Sequence, residues 1–221
     1  MRALKRAKTD IKSGELAYCY NTGSLLHISL RSSHELDSLL ELSGLQYTEE
    51  MTSDLIYPDQ TQGCYCDYMN EMIAIKYGNE FIDSLLNLSD SLHVRNNLTD
   101  TFYYANCDTW PNYPGDSDTY QNEFSKVFQE DLEKVLKYPI GYVKRPNDDL
   151  SAFVNLDLYV DKHGNADITG YSFLFDIEYN HKFEDYFKEV ISKAMKKTGW
   201  TPARIRNQMV NSNLVMRLYF D

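Results

Sequence analysis

The chain has 221 residues, and 22 Lys and Arg against 33 Asp and Glu give it a formal net charge of −11. That length accommodates one large domain or two small ones, each burying a modest core. Both halves are acidic, which disfavours duplex DNA, RNA and anionic membranes as partners, and no run approaches the roughly 18 apolar residues of a membrane span.

Met1 to Lys8 is basic like the start of an export signal, but Thr9 to Glu15 holds no apolar segment and no cleavage signature. The expectation is a cytoplasmic protein as the chain stands, or a periplasmic one if an export segment is missing. Glu15–Tyr20 and Leu25–Leu30 fit a hairpin around Asn21-Thr-Gly23. Ser33 fits a helix N-cap, with Glu35 and Asp37 in the first turn, apolar Leu36, Leu39 and Leu40 behind them, and Gly44 as the stop. Met51 to Gly63, with Pro58, is loop-like. From Tyr65 to about His93, Met69, Met72, Ile73, Tyr77, Phe81, Leu85 and Leu88 recur at helical spacing, and Gly78 marks a kink or break. The polar, aromatic, turn-rich stretch from Asn96 to Pro114 predicts a boundary, giving a mixed, mainly helical module at 1–106 and a second domain at 107–221, with its core at 150–221.

The last seventy or so residues carry the clearest pattern. Val154, Leu156, Leu158 and Val160 alternate with Asn155, Asp157 and Tyr159, the period of a half-buried strand. Asp161 to Ala166 supplies a turn around Gly164, and a second strand runs from Ala166 to Ser172. Phe183, Phe187, Val190, Ile191, Ala194 and Met195 then mark a helix ending at Gly199. After Trp200-Thr-Pro-Ala203, alternation resumes from Gln208 to Phe220. The expected architecture is α+β: a three-stranded antiparallel sheet in ββαβ order with one packed helix.

Chemistry-bearing motifs are sparse. There is no phosphate-cradling glycine loop, HExxH or G-x-S-x-G. Asp161 to Asp167 lacks the bidentate Glu of a calcium loop, so it reads as a hairpin turn with His163 in solvent. Asp116, Asp118 and Glu123 read as a solvated helix start. Cys64-Tyr-Cys66 is too tightly spaced for a zinc knuckle; a site from Cys64, Cys66, Cys107 and His93 is weighed against two disulfides of unknown connectivity and against buried free thiols, the reading preferred for Cys19, Cys64, Cys66 and Cys107. An enzymatic reading would rest on Cys64 or Cys66 at a helix start. Neither has an evident base beside it, so no catalysis, metal or cofactor is expected.

Residues from about 107 to 221 resemble the carboxy-terminal domain of TonB, the energy transducer of Gram-negative envelopes. The resemblance lies in Val154-Asn-Leu-Asp-Leu-Tyr-Val-Asp-Lys-His-Gly164, the helix, the Trp200-x-Pro202-Ala203 corner and Arg217-Leu-Tyr-Phe220. Asp108-Thr-Trp-Pro-Asn-Tyr-Pro-Gly115, Phe124 and Leu136-Lys-Tyr-Pro139 resemble the lead-in of such proteins. The first half is similar to small uncharacterised bacterial proteins through Ala7-Lys-Thr-Asp-Ile-Lys-Ser-Gly14, Gly63-Cys64, Tyr68-Met-Asn70 and Lys76-Tyr-Gly78. The TonB resemblance implies a non-catalytic binding module whose last strand, at the sheet edge, captures an extended peptide, such as a segment of an outer-membrane receptor, by strand addition. Asn211, Asn213, Val215, Arg217 and Tyr219 would form the partner-binding row, and Trp200 and Pro202 a structural corner. The alternative is an assembly protein that homodimerises through the same edge. Without a membrane helix or Pro-rich spacer, the chain as it stands is not expected to be a complete energy transducer.

Overall fold

The computed structural model describes residues 2–23, 29–53, 55, 62–116, 124–144 and 152–220. The protein is α+β, with six α-helices and seven strands among the described residues. It divides into two compact units, Met1–Asn97 and Leu98–Asp221.

In the first unit, α1 (Arg2–Lys12) and β1 (Ala17–Gly23) are followed by α2 (Ser33–Leu42), β2 (Gln46–Thr52), α3 (Cys64–Tyr77) and α4 (Phe81–Asn96). β1 pairs with β2 in parallel, from Ala17 opposite Gln46 to Gly23 opposite Thr52. The sequence instead suggested a hairpin to 25–30. Positions 24–28 lie outside the described residues, and residues 29 and 30 are not in a strand. The reason lies in burial: Ala17, Tyr18 and Cys19 are all buried, so β1 is covered on both faces. Strands of that kind favour parallel pairs crossed over by a helix, here α2. Ala17 and Cys19 pack with Ala7 of α1 and with Tyr65, Cys66 and Met69 of α3. Tyr18 packs on the other side with Leu36, Leu40, Leu45 and Ile73.

Local chemistry sets the helix ends. α2 closes in a Schellman arrangement: Leu45 N–H donates to Leu40 C=O and Gly44 N–H to Glu41 C=O, with Gly44 at φ +68°. Glycine takes that left-handed conformation without a Cβ clash. The helical pattern after Tyr65 divides at Gly78 into α3 and α4. Arg31 donates to both carboxylate oxygens of Asp90, at 3.0 and 2.7 Å, and Ser32 Oγ adds a bond of 2.8 Å, tying the start of α2 to α4.

Cys19 of β1 and Cys66 of α3 form a disulfide, their Cα atoms 4.8 Å apart. This corrects the expectation of four free thiols. Adjacency in the fold, not spacing in the chain, brings together two sulfurs 47 residues apart. Cys64 and Cys107 take part in no disulfide.

In the second unit, α5 (Lys126–Val135), β3 (Ala152–Val160), β4 (Ala166–Phe175), α6 (Glu184–Ala194), β5 (Ala203–Ile205), β6 (Gln208–Val210) and β7 (Ser212–Tyr219) follow in order. The three long strands form an antiparallel sheet in the order β4-β3-β7. Val154, Leu156, Leu158 and Val160 are buried, as are Leu214, Met216, Leu218 and Phe220. The period-two alternation therefore sets one sheet face inward.

Two helices contribute to this core, not the single helix expected. Phe187 and Ile191 of α6 are joined by Phe128 and Leu132 of α5, all fully buried. Ser125 caps α5 by accepting from Phe128 N–H at 3.0 Å. α6 ends at Ala194, short of Gly199, and Trp200 Nε1–H donates to the free carbonyl of Lys196 at 2.7 Å. The expected strand from 208 to 220 is also interrupted. Arg206, at φ +52°, turns β6 back to pair with β5 before β7 begins.

The 161–166 turn is a hairpin turn, as its composition indicated. Asp161 Oδ1 accepts from His163 and Asn165 N–H, each at 2.8 Å. Burial alone would raise the Asp161 carboxyl, but these bonds outweigh it and hold the group below its ordinary range. Gly164 is required there, because a Cβ would run into the Trp200 carbonyl.

Candidate binding edges and sheet face

The row expected to bind a partner lies on β7. Asn213, Val215, Arg217 and Tyr219 alternate with buried Leu214, Met216 and Leu218; Asn213 is exposed and the other three are half-buried, Val215 packing against the core. Asn211 sits just ahead of the strand, half-buried. Arg217 is held in place: its Nε donates to Asn155 Oδ1 at 2.8 Å, and its guanidinium lies 4.2 Å from the Phe153 ring centroid. Such stacking leaves the ends of the planar fork available to a carboxylate while fixing its plane. Tyr219 contacts Phe153 and Phe124, so this face is an aromatic patch around one cation.

The backbone of the β7 edge is already occupied. Phe102 N–H donates to Asn211 C=O at 2.9 Å, and Asn213 N–H donates to Phe102 C=O at 3.0 Å. Phe124 forms a parallel bridge with Arg217. Gln129 of α5 closes the far end, its amide accepting from Tyr219 N–H at 2.9 Å and donating to Tyr219 C=O at 2.9 Å. The chain's own lead-in and α5 therefore stand where an added strand would pair. No sequence pattern announced this, because Phe102, Phe124 and Gln129 are remote from β7 in the chain.

The other edge is different. Because β7 turns Asn213 and Tyr219 outward, ladder alternation turns its even-numbered residues toward β3, and the odd-numbered residues of β3 toward β4. In β4 that leaves the N–H and C=O of Tyr171 and Phe173 facing away from the sheet. Near its start, Asn165 and Ala166 are engaged by Thr198 and Lys197. Among the described residues, no backbone bond reaches the outer side of Tyr171 or Phe173. The rings of Tyr171, Phe173 and Phe175 stack along this edge at centroid spacings of 6.1 and 5.7 Å. A register shift at Asp157 and Leu158 bends the strand near its middle.

Trp200 is buried at the corner, edge-on to Tyr113 at 5.2 Å, and Pro202 is half-buried. Tyr113 stacks flat on Phe128, and its hydroxyl donates to Asp131 Oδ2 at 3.2 Å. The ammonium groups of Lys134 and Lys196, each 2.7 Å from Asp131, hold that carboxyl down at about 2. Burial pushes the Tyr113 phenol up to about 12. At neutral pH this is a fixed neutral-phenol and ion-pair cluster that fastens α5 to the corner.

The residues weighed for catalysis or metal binding are distributed otherwise than the sequence suggested. Cys64 opens α3 and Cys66 follows in its first turn, but Cys66 is bonded to Cys19 and is no free thiolate. Among the described residues, one trio of candidate ligand atoms converges: Cys19, Glu50 and Cys66, not the set with Cys64, Cys107 and His93. Asp118 and Glu123 lie outside the described residues. No helix among the described residues is long and apolar enough to cross a membrane. No family model, curated protein or solved structure matches this chain.

Proposed function

We propose that the second unit is a non-catalytic protein-binding module of the TonB carboxy-terminal type, taking an extended segment of a partner protein as an added strand. The observation that carries this reading is the outer edge of β4, where among the described residues no backbone partner meets Tyr171 or Phe173. The chain order β3, β4, α6 and, after the short β5 and β6, β7 supports this reading. Backbone hydrogen bonds to the added strand would supply affinity, and its alternate side chains would meet Tyr171 and Phe173. The β7 row acts through side chains instead: Arg217, set among Phe153, Asn155 and Tyr219, reads an acidic group on the partner's surface. A segment of an outer-membrane receptor is the first partner class to test, on the strength of the resemblance, with an envelope location to match.

The test uses the full chain and fluorescently labelled peptides from periplasm-facing segments of outer-membrane receptors. Tyr171→Pro removes an outward N–H at an edge position where proline is tolerated, and Tyr171→Ala removes only the side chain. Strand addition requires micromolar binding by the wild type, retained within about tenfold by Tyr171→Ala and abolished by Tyr171→Pro. Equal binding by both variants would overturn the reading. Sedimentation of the peptide-free protein covers the alternative: a dimer that Tyr171→Pro converts to monomer identifies a second copy as the edge's occupant.

A further inference from the structure

Three groups with metal-binding chemistry meet inside the first unit. Cys19 on β1 is opposite Thr48 of β2, so Glu50, two residues further along β2, rises on the same face as Cys19. α3 covers that face and brings Cys66 onto it. The ligand atoms of Cys19, Glu50 and Cys66 lie within 4.8 Å of one another. Cys19 and Cys66 are 2% and 0% exposed, and Glu50 is half-buried.

The position of the carboxylate is poorly explained by a disulfide alone. Glu50 Oε2 lies 3.6 Å from Cys66 Sγ, a contact suited to a thiol donor. A disulfide sulfur carries no proton, so in the oxidised state Oε2 faces sulfur lone pairs. Arg6 approaches the other oxygen, at 4.0 Å. A dithiol gives Oε2 a donor, and a cation gives all three groups a common partner.

We propose that the reduced form of this cluster is a site for one thiophilic divalent cation of the zinc class. The Cys19 and Cys66 thiolates and the Glu50 carboxylate would be its ligands, with water in the fourth position. Reduction of the disulfide by an external dithiol breaks the S–S bond and adds two electrons and two protons; the dithiol becomes a disulfide. The cation then displaces both thiol protons to solvent. Three negative ligands, a double positive charge and the neighbouring Arg6 guanidinium sum to neutrality, which suits a buried site. Tetrahedral coordination requires the two sulfurs to part to about 3.8 Å, which side-chain rotation supplies.

The fold keeps these ligands together without the S–S bond. Asn70, on the same helix as Cys66, accepts from Cys19 N–H at 3.0 Å and donates to Cys19 C=O at 2.9 Å. β1 therefore stays against α3 when the disulfide opens. The two states exclude one another: oxidation removes both thiolates, so the site loads only when reduced.

The experiment is a Co²⁺ titration of the full chain, reduced with a phosphine and verified to hold its four thiols, followed by displacement with Zn²⁺. The expected result is one equivalent of Co²⁺ with a thiolate-to-cobalt charge-transfer band, and none in the oxidised protein. Cys64→Ser should leave the band intact, Cys66→Ser should abolish the site, and Glu50→Gln should weaken it at least about tenfold. Circular dichroism checks that each variant is folded, and Glu50→Gln decides the matter if Cys66→Ser is not. A folded, reduced protein without the band would overturn the proposal, as would a band that Glu50→Gln leaves at full affinity or that follows Cys64.

Discussion

The two units close their sheets by different means. In the first, a two-stranded parallel sheet lies between helices, and its buried side chains form two small clusters on opposite faces. In the second, one face of a three-stranded antiparallel sheet supports a single aromatic core from Tyr104 to Phe220. Burial of apolar area scales with cluster size, so the smaller clusters rely more on directional fasteners. The first unit has the Cys19–Cys66 bond, the Asn70 clasp and the Arg31–Asp90 pair for that purpose. The second unit uses the same amide device as the first, Gln129 on Tyr219, but at the rim of a sheet that its core already holds.

The largest expected effect tests the single core. Phe187→Ala should cost about 3–5 kcal/mol, all of it in the second unit. Both tryptophans, Trp110 and Trp200, belong to that unit, so their fluorescence transition should shift while a far-UV signal from the first unit stays in place. Next, the double variant Cys19→Ser, Cys66→Ser should destabilise the first unit by about 2–4 kcal/mol in metal-free solution, given the loop that the bond closes. A matching shift in the tryptophan transition would mean that the two units do not unfold independently, and the comparison would fail.

The amide clasps sharpen the contrast. Asn70→Ala leaves the N–H and C=O of buried Cys19 without their partners, at a cost of about 1–3 kcal/mol. Gln129→Ala should cost less, because Tyr219 is only half-buried and water can replace the amide. It should also speed hydrogen exchange at Tyr219 selectively. Equal costs would show that both clasps bear equally on their sheets. The smallest effect is one of pH. The Asp131 carboxyl is depressed in the folded state, to about 2 from 3.8, so its contribution is full above pH about 4 and fades as pH falls through about 2. Acid should therefore weaken the second unit over that window, and Asp131→Asn should flatten the slope while lowering stability at neutral pH.

Much of the second unit was legible in the sequence because its signals are local. Val154 to Val160 and Leu214 to Phe220 alternate strictly, and Asp161 and Gly164 are residues their turn demands. For α5 the sequence offers only a solvated helix start at Asp116, Asp118 and Glu123, ahead of the observed Lys126; Ser125, Phe128 and Leu132 carry its cap and helical spacing, but the resemblance makes the flanking Phe124 and Leu136 lead-in to the domain. The parallel pairing of β1 and β2 had no local signal, since β2 shows no burial alternation and its partner lies across a helix. The candidate site was legible only as side chains. Which face Arg217 and Tyr219 occupy follows from period two, whereas the state of the β7 backbone depends on Phe102, Phe124 and Gln129.

The sequence by itself determined the α+β character, the break at Gly78, the end of α2 at Gly44 and the inward faces of β3 and β7. Each depends on neighbours within a few residues, where backbone sterics and side-chain periodicity decide the outcome. Only the tertiary structure decided that Cys19 meets Cys66 and Glu50, that β7 is fastened along its edge, and that among the described residues Tyr171 and Phe173 of β4 meet no backbone partner on their outer side. These are contacts between distant segments, and they are set by which apolar faces pack together, a property of the whole chain that no local pattern encodes.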